Sequence, residues 1–186
     1  MTRRSNQGLS GMERFTSALI VLTLTSMPAG VGAQDTEWNR YTLEGLSGVF
    51  IRAESGPACE SAGVTASKLQ ADAAIQLLET DVAPLTRDEM LALAGLPELR
   101  ITVECATGNG GSGPLGYSVS LRVQQAVKLI RNEQITLPEA VTWYSTAFGV
   151  ADAGGAQEAV LTTLTSALEG FATAYSEANA EKEGAP

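Results

Sequence analysis

The feature that most constrains the fold is a segment from Tyr117 to Leu129 in which apolar and polar side chains alternate. One parity holds Tyr117, Val119, Leu121, Val123, Val127 and Leu129, and the other holds Ser118, Ser120, Arg122, Gln124 and Lys128. A period of two residues predicts a strand with one dry and one wet face. Gln125 falls on the apolar parity, so we expect a bulge or bend near Gln124 and Gln125. A strand of this length predicts a sheet as the framework of the fold.

Other segments share the strand pattern. They are 48–54, 82–85, 99–106 and 140–150. Pro84 restricts the second of them to a sheet edge, because proline has no N–H for the ladder. Cys105 falls on the dry side of the third. The polar segment 131–138 is predicted as a turn, and the glycine-rich segment 107–116 as a flexible hairpin connection.

Three segments have the features of helices. Thr65 can cap a helix that runs to about Glu79 and repeats apolar residues every four positions. Thr86 and Glu89 form a capping-box pattern before a short helix that ends at Gly95. Residues 155–180 place leucine and aromatic side chains three and four positions apart, which predicts a long amphipathic helix.

These elements predict an α+β fold. We expect a two-layer sandwich in which two long helices pack on one face of a mixed sheet of four or five strands, while the other face meets solvent. The predicted single domain spans 48–180, preceded by a polar lead-in at 34–47 and followed by a frayed tail at 181–186.

Residues 1–33 have the composition of a signal peptide. Basic residues at positions 3, 4 and 14 precede an apolar stretch from Phe15 to Met27, and small residues lead to Ala33. This stretch is shorter than the roughly 20 apolar residues of a membrane-spanning helix, which disfavours the alternative of a retained anchor. We therefore expect cleavage after Ala33 and a periplasmic or secreted protein whose mature form has no membrane span.

The predicted mature chain is acidic. The whole chain has 12 basic and 21 acidic residues, and the leader contains three of the former and one of the latter, which leaves 9 against 20, or a net charge of −11. Such a surface repels the phosphates of nucleic acids and anionic lipid headgroups. Nucleic acid and membrane surfaces are therefore not expected partners.

Cys59 and Cys105 are the two cysteines of the chain. In an oxidising compartment they predict one disulfide, which in the chain-entropy picture would stabilise the fold by about 4 kcal/mol. Two buried free thiols are the alternative, because pairing cannot be derived from sequence. If the disulfide forms, the first and third strands have their carboxyl ends together and run in parallel.

The chain contains no histidine, so the commonest general base and metal ligand is missing. The carboxylate pairs Asp88 with Glu89 and Glu98 with Glu104 are the remaining candidates for catalysis. Adjacent residues diverge on a helix, however, and negative charge is favoured at a helix start in any case. The glycine-rich segment lacks the lysine and the following helix of a phosphate loop. We predict no catalytic residue, no metal and no cofactor.

Trp143, Tyr144 and Phe148 form the densest aromatic group of the chain. Alternation places Trp143 on the opposite sheet face from Tyr144 and Phe148, and large aromatic side chains on the covered face belong to the core. If Tyr144 and Phe148 lie beside Arg122 and Gln124 on the open face, these four residues form a partner surface. Burial of all three rings beneath the helices would remove this hypothesis.

The order of elements resembles small bacterial envelope domains, namely the amino-terminal domain of the Tol-system propeller protein and the lipoprotein that plugs the lipopolysaccharide-export barrel. The segments that carry the resemblance are the 48–54 strand, the Thr65-capped helix, the 97–103 strand, the 117–131 strand, Thr142-Trp143 and the helix with Phe171, Tyr175 and Asn179. The resemblance implies a domain of the bacterial envelope.

These observations predict a non-enzymatic periplasmic binding or adaptor protein. We expect its partner to be another envelope protein that meets the open sheet face or adds a strand to an exposed edge. The alternatives are a hydrolase that uses carboxylates alone and a carrier of a small apolar ligand in a cleft between helices and sheet. The sequence leaves the partner and the oligomeric state open.

Overall fold

The computed structural model describes residues 36–108, 113–152 and 154–180. The predicted signal peptide at 1–33, the predicted tail at 181–186 and the centre of the glycine-rich connection at 109–112 lie outside the described residues. The helices are α1 (Glu37–Arg40), α2 (Pro57–Ser61), α3 (Ala66–Leu77), α4 (Arg87–Ala92) and α5 (Ala156–Asn179), with a 3-10 turn at Tyr41–Leu43. The strands are β1 (Val49–Ser55), β2 (Pro84–Leu85), β3 (Glu98–Thr107), β4 (Leu115–Leu129) and β5 (Asn132–Ala151).

The five strands form one mixed sheet in the order β2-β1-β3-β4-β5. β1 is parallel to both of its neighbours, and β3, β4 and β5 form an antiparallel meander. The long helices α3 and α5 pack on this sheet and on each other. The predicted α+β fold with a single mixed sheet is therefore confirmed.

The core lies between the helices and one face of the sheet. β3 contributes Leu99, Ile101 and Val103, and β4 contributes Val119, Leu121 and Val123, all fully buried. From the other layer come Leu69 and Leu77 of α3 together with Leu164, Leu168 and Phe171 of α5. Trp143 of β5 packs on Phe171 with ring centroids 5.1 Å apart, so of the two aromatic sets on β5 it is Trp143 that belongs to the core.

The disulfide between Cys59 and Cys105 is present, with the two Cα atoms 5.1 Å apart. Cys59 lies in α2, directly after β1, and Cys105 lies near the end of β3. The two strands run in parallel with Ser55 opposite Val103, as the pairing predicts. The disulfide therefore fastens the carboxyl ends of two neighbouring strands.

The predicted bulge lies where the sequence breaks its alternation. The register between β4 and β5 shifts after Val123 and again after Gln125. Gln125 lies at a position of β4 where the alternation calls for an apolar side chain. Its Nε2 donates to Thr42 O at 2.9 Å and to Thr142 Oγ1 at 2.7 Å. A polar side chain on this parity is thus satisfied by hydrogen bonds to the amino-terminal segment and to β5.

Both predicted helix caps are present. The Thr65 hydroxyl accepts from Lys68 N at 3.3 Å at the start of α3. At the start of α4, Thr86 Oγ1 accepts from Glu89 N, and Glu89 Oε2 accepts from Thr86 N at 2.7 Å. The reciprocal bonds satisfy two backbone donors that a helix start leaves without partners.

The predicted turn at 131–138 is wrong. The chain turns at Ile130 and Arg131, and β5 begins at Asn132, so the predicted strand at 140–150 is the second part of a longer one. Thr136 and Leu137 pair with Lys128 and Val127 of β4. Backbone hydrogen bonds hold this part in a strand although its side chains face solvent, and exposed side chains give no alternating signal.

The segment predicted as a polar lead-in at 34–47 is anchored from Thr42 onward. Leu43 is fully buried, and its carbonyl accepts from Asn179 Nδ2 at 3.0 Å. Asn179 Oδ1 also accepts from Gly45 N at 2.8 Å, and Tyr175 donates its hydroxyl to Leu46 O. The end of α5 therefore holds this segment in place through side-chain bonds to its backbone.

Candidate partner-binding surfaces

The sheet face opposite the helices carries its side chains in rows that cross the strands. One row consists of Arg52, Arg100, Arg122 and Tyr144, each directly opposite the next on neighbouring strands. The next row consists of Glu54, Thr102, Ser120 and Thr146, with the Ser120 and Thr146 hydroxyls 3.1 Å apart. This open face is therefore polar and has an arginine row at its centre.

Acidic side chains compensate two of the three arginines. Arg100 Nη2 lies 2.8 Å from Glu98 Oε1 and 3.8 Å from Glu139 Oε2, and Arg52 Nε lies 3.5 Å from Glu54 Oε1. Like charges opposite each other on adjacent strands repel, so these carboxylates stabilise the row. Arg122 is exposed and has no ion pair within the described ranges.

The structure places the four predicted surface residues on this face but not with equal access. Arg122 is opposite Tyr144, and Phe148 is 71% exposed, opposite Ser118. Gln124 is only 8% exposed in a row with Glu98 and Val141, so it offers little contact area. Its Oε1 has no hydrogen-bond partner among the described residues. The accessible part is thus the open-face patch of Arg122, Tyr144 and Phe148.

A second surface was missed because its strand was predicted as a turn. β3 pairs with β4 only as far as Gln124, and Gly95 O accepts from Ala126 N just beyond. Residues 127–139, which we call the arm, therefore pair only with each other. The three β4 residues past this point extend the arm by about 10 Å.

The arm exposes apolar side chains. Val127 and Leu137 are opposite each other, and Leu137 and Ile135 are exposed to solvent. Ile130 at its turn is almost completely exposed. Two basic and two acidic residues leave the arm with no net charge, which sets it apart from the acidic chain as a whole.

The carboxylate pairs considered for catalysis do not form a site. Glu98 and Glu104 lie on one face of β3 but six residues apart, which corresponds to roughly 20 Å along a strand. Asp88 and Glu89 lie in the exposed first turn of α4. The pKa of Glu89 is lowered by its hydrogen bonds from the Thr86 backbone and hydroxyl, so this carboxylate serves the helix cap.

Burial raises the pKa of Tyr175, and the nearby Asp81 carboxylate adds to this effect. Tyr175 donates to Leu46 O and its ring lies 6.3 Å from that of Phe171. The shift therefore accompanies a tyrosine that fastens the amino-terminal segment to α5. It does not mark a cleft in which a substrate would meet an acid or base.

The described surface has shallow depressions. One of about 450 Å³ is lined by Gln157, Glu158, Leu161, Thr162 and Thr165 of α5. Another, of about 400 Å³, lies at the end of the sheet around Tyr117, Phe148 and Gly149. Between the helices and the sheet the space is filled by fully buried side chains, so this packing gives no support for a ligand cleft there.

The described ranges 36–108, 113–152 and 154–180 contain no group of three or more cysteine, histidine or acidic residues that could hold a metal ion. No helix in them is long and apolar enough to cross a membrane.

Comparisons with protein families, with curated proteins and with solved structures found no match for this chain. The resemblance to the two envelope domains therefore stays a prediction, and the function is argued from the surfaces alone.

Proposed function

We propose that this protein is a non-enzymatic binding or adaptor domain that docks another envelope protein through the arm and the adjoining open-face patch. The observation that carries the proposal is the arm itself, a two-stranded extension beyond the core that holds apolar side chains in solvent. An isolated hairpin is marginally stable in water. A partner that covers its apolar side would bury surface that the fold leaves exposed.

The open-face patch supplies a polar contact on the other face of the ribbon. Val127 and Leu137 continue the parity of the covered face, so a partner that meets both surfaces wraps around β5 at the base of the arm. Arg122 stands without an ion pair beside Tyr144, and both residue types are enriched in protein interfaces. A carboxylate of the partner opposite Arg122 would complete the arginine row, in which Glu98 and Glu54 already compensate the other two side chains. We therefore expect an apolar contact at the arm and an acidic group near Tyr144.

Export to an oxidising compartment is part of the proposal. The disulfide supports it, because such bonds persist mainly outside the cytosol. The leader pattern at 1–33 supports it independently. The mass of the purified mature protein tests both points: we expect a chain that begins at Gln34 and carries no free thiol.

Site-specific photo-cross-linking in cells tests the contact itself. A benzophenone side chain is introduced at Leu137 in the arm, at Tyr144 in the patch, and at Ile75 as the control. Ile75 is an apolar residue on α3, in the helix layer, and is 62% exposed. We expect the same envelope protein to be captured from Leu137 and Tyr144 and not from Ile75.

Binding of the captured protein to purified variants then measures the contribution of the arm. Leu137→Lys should weaken the complex by about tenfold or more, as loss of a buried apolar contact does, whereas Ile75→Lys should leave it unchanged. Adducts from Leu137 and Tyr144 no stronger than those from Ile75 would contradict the proposal, and so would adducts from Leu137 that contain only a second copy of this chain.

A further inference from the structure

Beyond Thr142, whose carbonyl accepts from Thr42 Oγ1 at 3.1 Å, the outer edge of β5 pairs with no strand of the described chain, because β5 is the last strand of the sheet. On β4, Ala126 N donates toward the β3 side, to Gly95 O, whereas Val123 O accepts from Thr142 Oγ1 on the β5 side. Odd-numbered residues of β4 therefore bond to β5, where their register partners are Trp143, Ser145, Ala147 and Gly149. The backbone groups that point outward, away from the sheet, belong to Tyr144, Thr146, Phe148 and Val150.

Pro138 and the bulge at Thr142 protect the first part of this edge, but the stretch from Trp143 to Ala151 lacks the features that normally prevent strand pairing. Native edge strands are short or carry lysine, proline or inward charges. From Ala140 to Ala151, β5 contains no charged residue and no proline. Phe148 and Val150 are 71% and 72% exposed beside it. In a chain whose net charge is −9, such a neutral strip is where two copies can approach with little repulsion.

We propose that two copies of this protein pair through their β5 edges, antiparallel, about a two-fold axis at Thr146. Outward-pointing residues then meet outward-pointing residues, as an antiparallel ladder requires. Thr146 lies opposite Thr146 of the second copy, and Tyr144 lies opposite its Phe148. Both aromatic side chains are on the open face, so this register forms two cross-strand aromatic pairs and covers the exposed Phe148 ring.

The bulge limits the ladder. Thr142 is the extra residue of β5 between the partners of Val123 and Gln124, and it is the register partner of Val150 in the second copy. Three regular pairs centred on Thr146 supply about six backbone hydrogen bonds between the copies. The two open faces then join into one continuous surface across ten strands.

The β5 edge borders the open-face patch but not the arm, and the pairing does not rest on the proposed function. In the dimer a benzophenone at Tyr144 can also capture the second copy, whereas Leu137 lies beyond the bulge, outside the paired segment. A dimer that captures no partner protein would support the pairing alone, and a monomer that binds a partner protein would support the proposed function alone.

Charge pairs across the two-fold axis test the register. Thr146→Lys places two lysines opposite each other, and Thr146→Glu two carboxylates, so each variant alone should be monomeric by light scattering while the unaltered mature protein is dimeric. A mixture of the two variants should form a heterodimer, because opposite charges then meet. Gln70→Lys on the exposed side of α3 is the matched control and should stay dimeric.

Two further variants keep the test independent of charge. Thr146→Pro removes an outward N–H that has no bond within the sheet, and should weaken dimerisation by about tenfold or more without unfolding the protein. Thr146→Cys should form a disulfide between copies, since residues of a hydrogen-bonded pair have Cα atoms about 5.5 Å apart. A monomeric unaltered protein, or a dimer that survives both Thr146→Lys and Thr146→Pro, would overturn the proposal.

Discussion

One edge of the sheet is β2, two residues long and containing Pro84, whereas the other is β5, twenty residues long and without a charge over its second half. On the β2 side the chain uses local devices. The capping box starts α4 directly after β2, and Gly48 has no side chain where a Cβ would lie 2.3 Å from Ala83 O. The disulfide fastens β3 to the helix that follows β1.

The β5 side has neither a helix cap nor a disulfide within the described residues and is held by packing. Its ladder with β4 is long, and Trp143 against Phe171 joins it to the helix layer. The difference indicates that the short edge strand β2, which contains proline, and the long uncharged edge of β5 have different roles in the sheet. The first closes the fold, and the second is free to meet another chain.

Trp143→Ala should have the largest effect, because it removes the main contact between β5 and α5. The free energy of unfolding should fall by about 3–5 kcal/mol, as for other buried aromatic truncations, measured by guanidinium denaturation. Phe148→Ala, five residues further along the same strand but exposed in the monomer, should change it by less than about 0.5 kcal/mol when both variants are made in the monomeric Thr146→Lys background. Equal losses in the two variants would show that β5 is not held by its covered face.

Removal of the disulfide should weaken the opposite side of the sheet. The double variant Cys59→Ala, Cys105→Ala frees a loop with a sequence separation of 46 residues and should lower the free energy of unfolding by about 2–4 kcal/mol. Hydrogen exchange should rise first in α2 and the end of β3, and less in β5. A uniform rise over all strands would contradict this division between the two sides.

Gly149→Ala tests how closely β5 is covered on the helix side. A Cβ there would lie 2.3 Å from the Cζ and hydroxyl oxygen of Tyr117, whose ring crosses β5 to bond with Thr163 Oγ1 at 2.9 Å. We expect a loss of about 1–3 kcal/mol.

Gly116→Ala on the neighbouring strand is the matched control for this variant. Its nearest contact would be 3.8 Å, from Ala106 O, and its effect should be small. Adding Tyr117→Ala to Gly149→Ala should cost less than the sum of the single changes, because the clash disappears. Additive losses would mean that the ring does not cover Gly149.

The smallest effect is expected at the cap beside β2. The pKa of Glu89 is lowered in the folded state, so its contribution to stability is present at neutral pH and is lost as the pH falls from about 4.5 through that lower pKa. Glu89→Gln should therefore lower Tm slightly at pH 7, and the difference should vanish in acid. A difference that persists well below pH 4.5 would exclude the charge as its cause.

The framework of the fold could be predicted because its elements have one wet and one dry side. Alternation found β3 and β4, the break at Gln125 located the bulge, and Thr65 and Thr86 marked helix starts. The cysteine pair gave the parallel direction of β1 and β3. Each of these signals is either local or reflects burial. Buried side chains recur every two residues in a strand and about every 3.6 residues in a helix.

The arm and the accessibility of the patch could not be predicted, because they leave no local or periodic pattern in the sequence. Residues 132–139 are held by cross-strand backbone bonds, which leave no pattern in exposed side chains. Gln124 is polar, as surface residues are, but it is buried. Its burial depends on its neighbours Glu98 and Val141 on the adjacent strands, and the sequence does not show that these residues meet. The bonds from Asn179 and Tyr175 to the amino-terminal segment join residues about 130 positions apart and have no local signal.

Those last bonds have a consequence for the order in which the domain can be completed. The segment that contains the buried Leu43 is anchored by α5, which lies far from it in sequence, since Gly45 and Asn179 are 134 residues apart. Without α5, β4 and β5 lack their cover and the amino-terminal segment lacks its anchor, so we expect these parts to close together. We therefore expect that a chain cut before α5 does not fold, and that contacts of such high sequence separation make closure of the domain slow for its size.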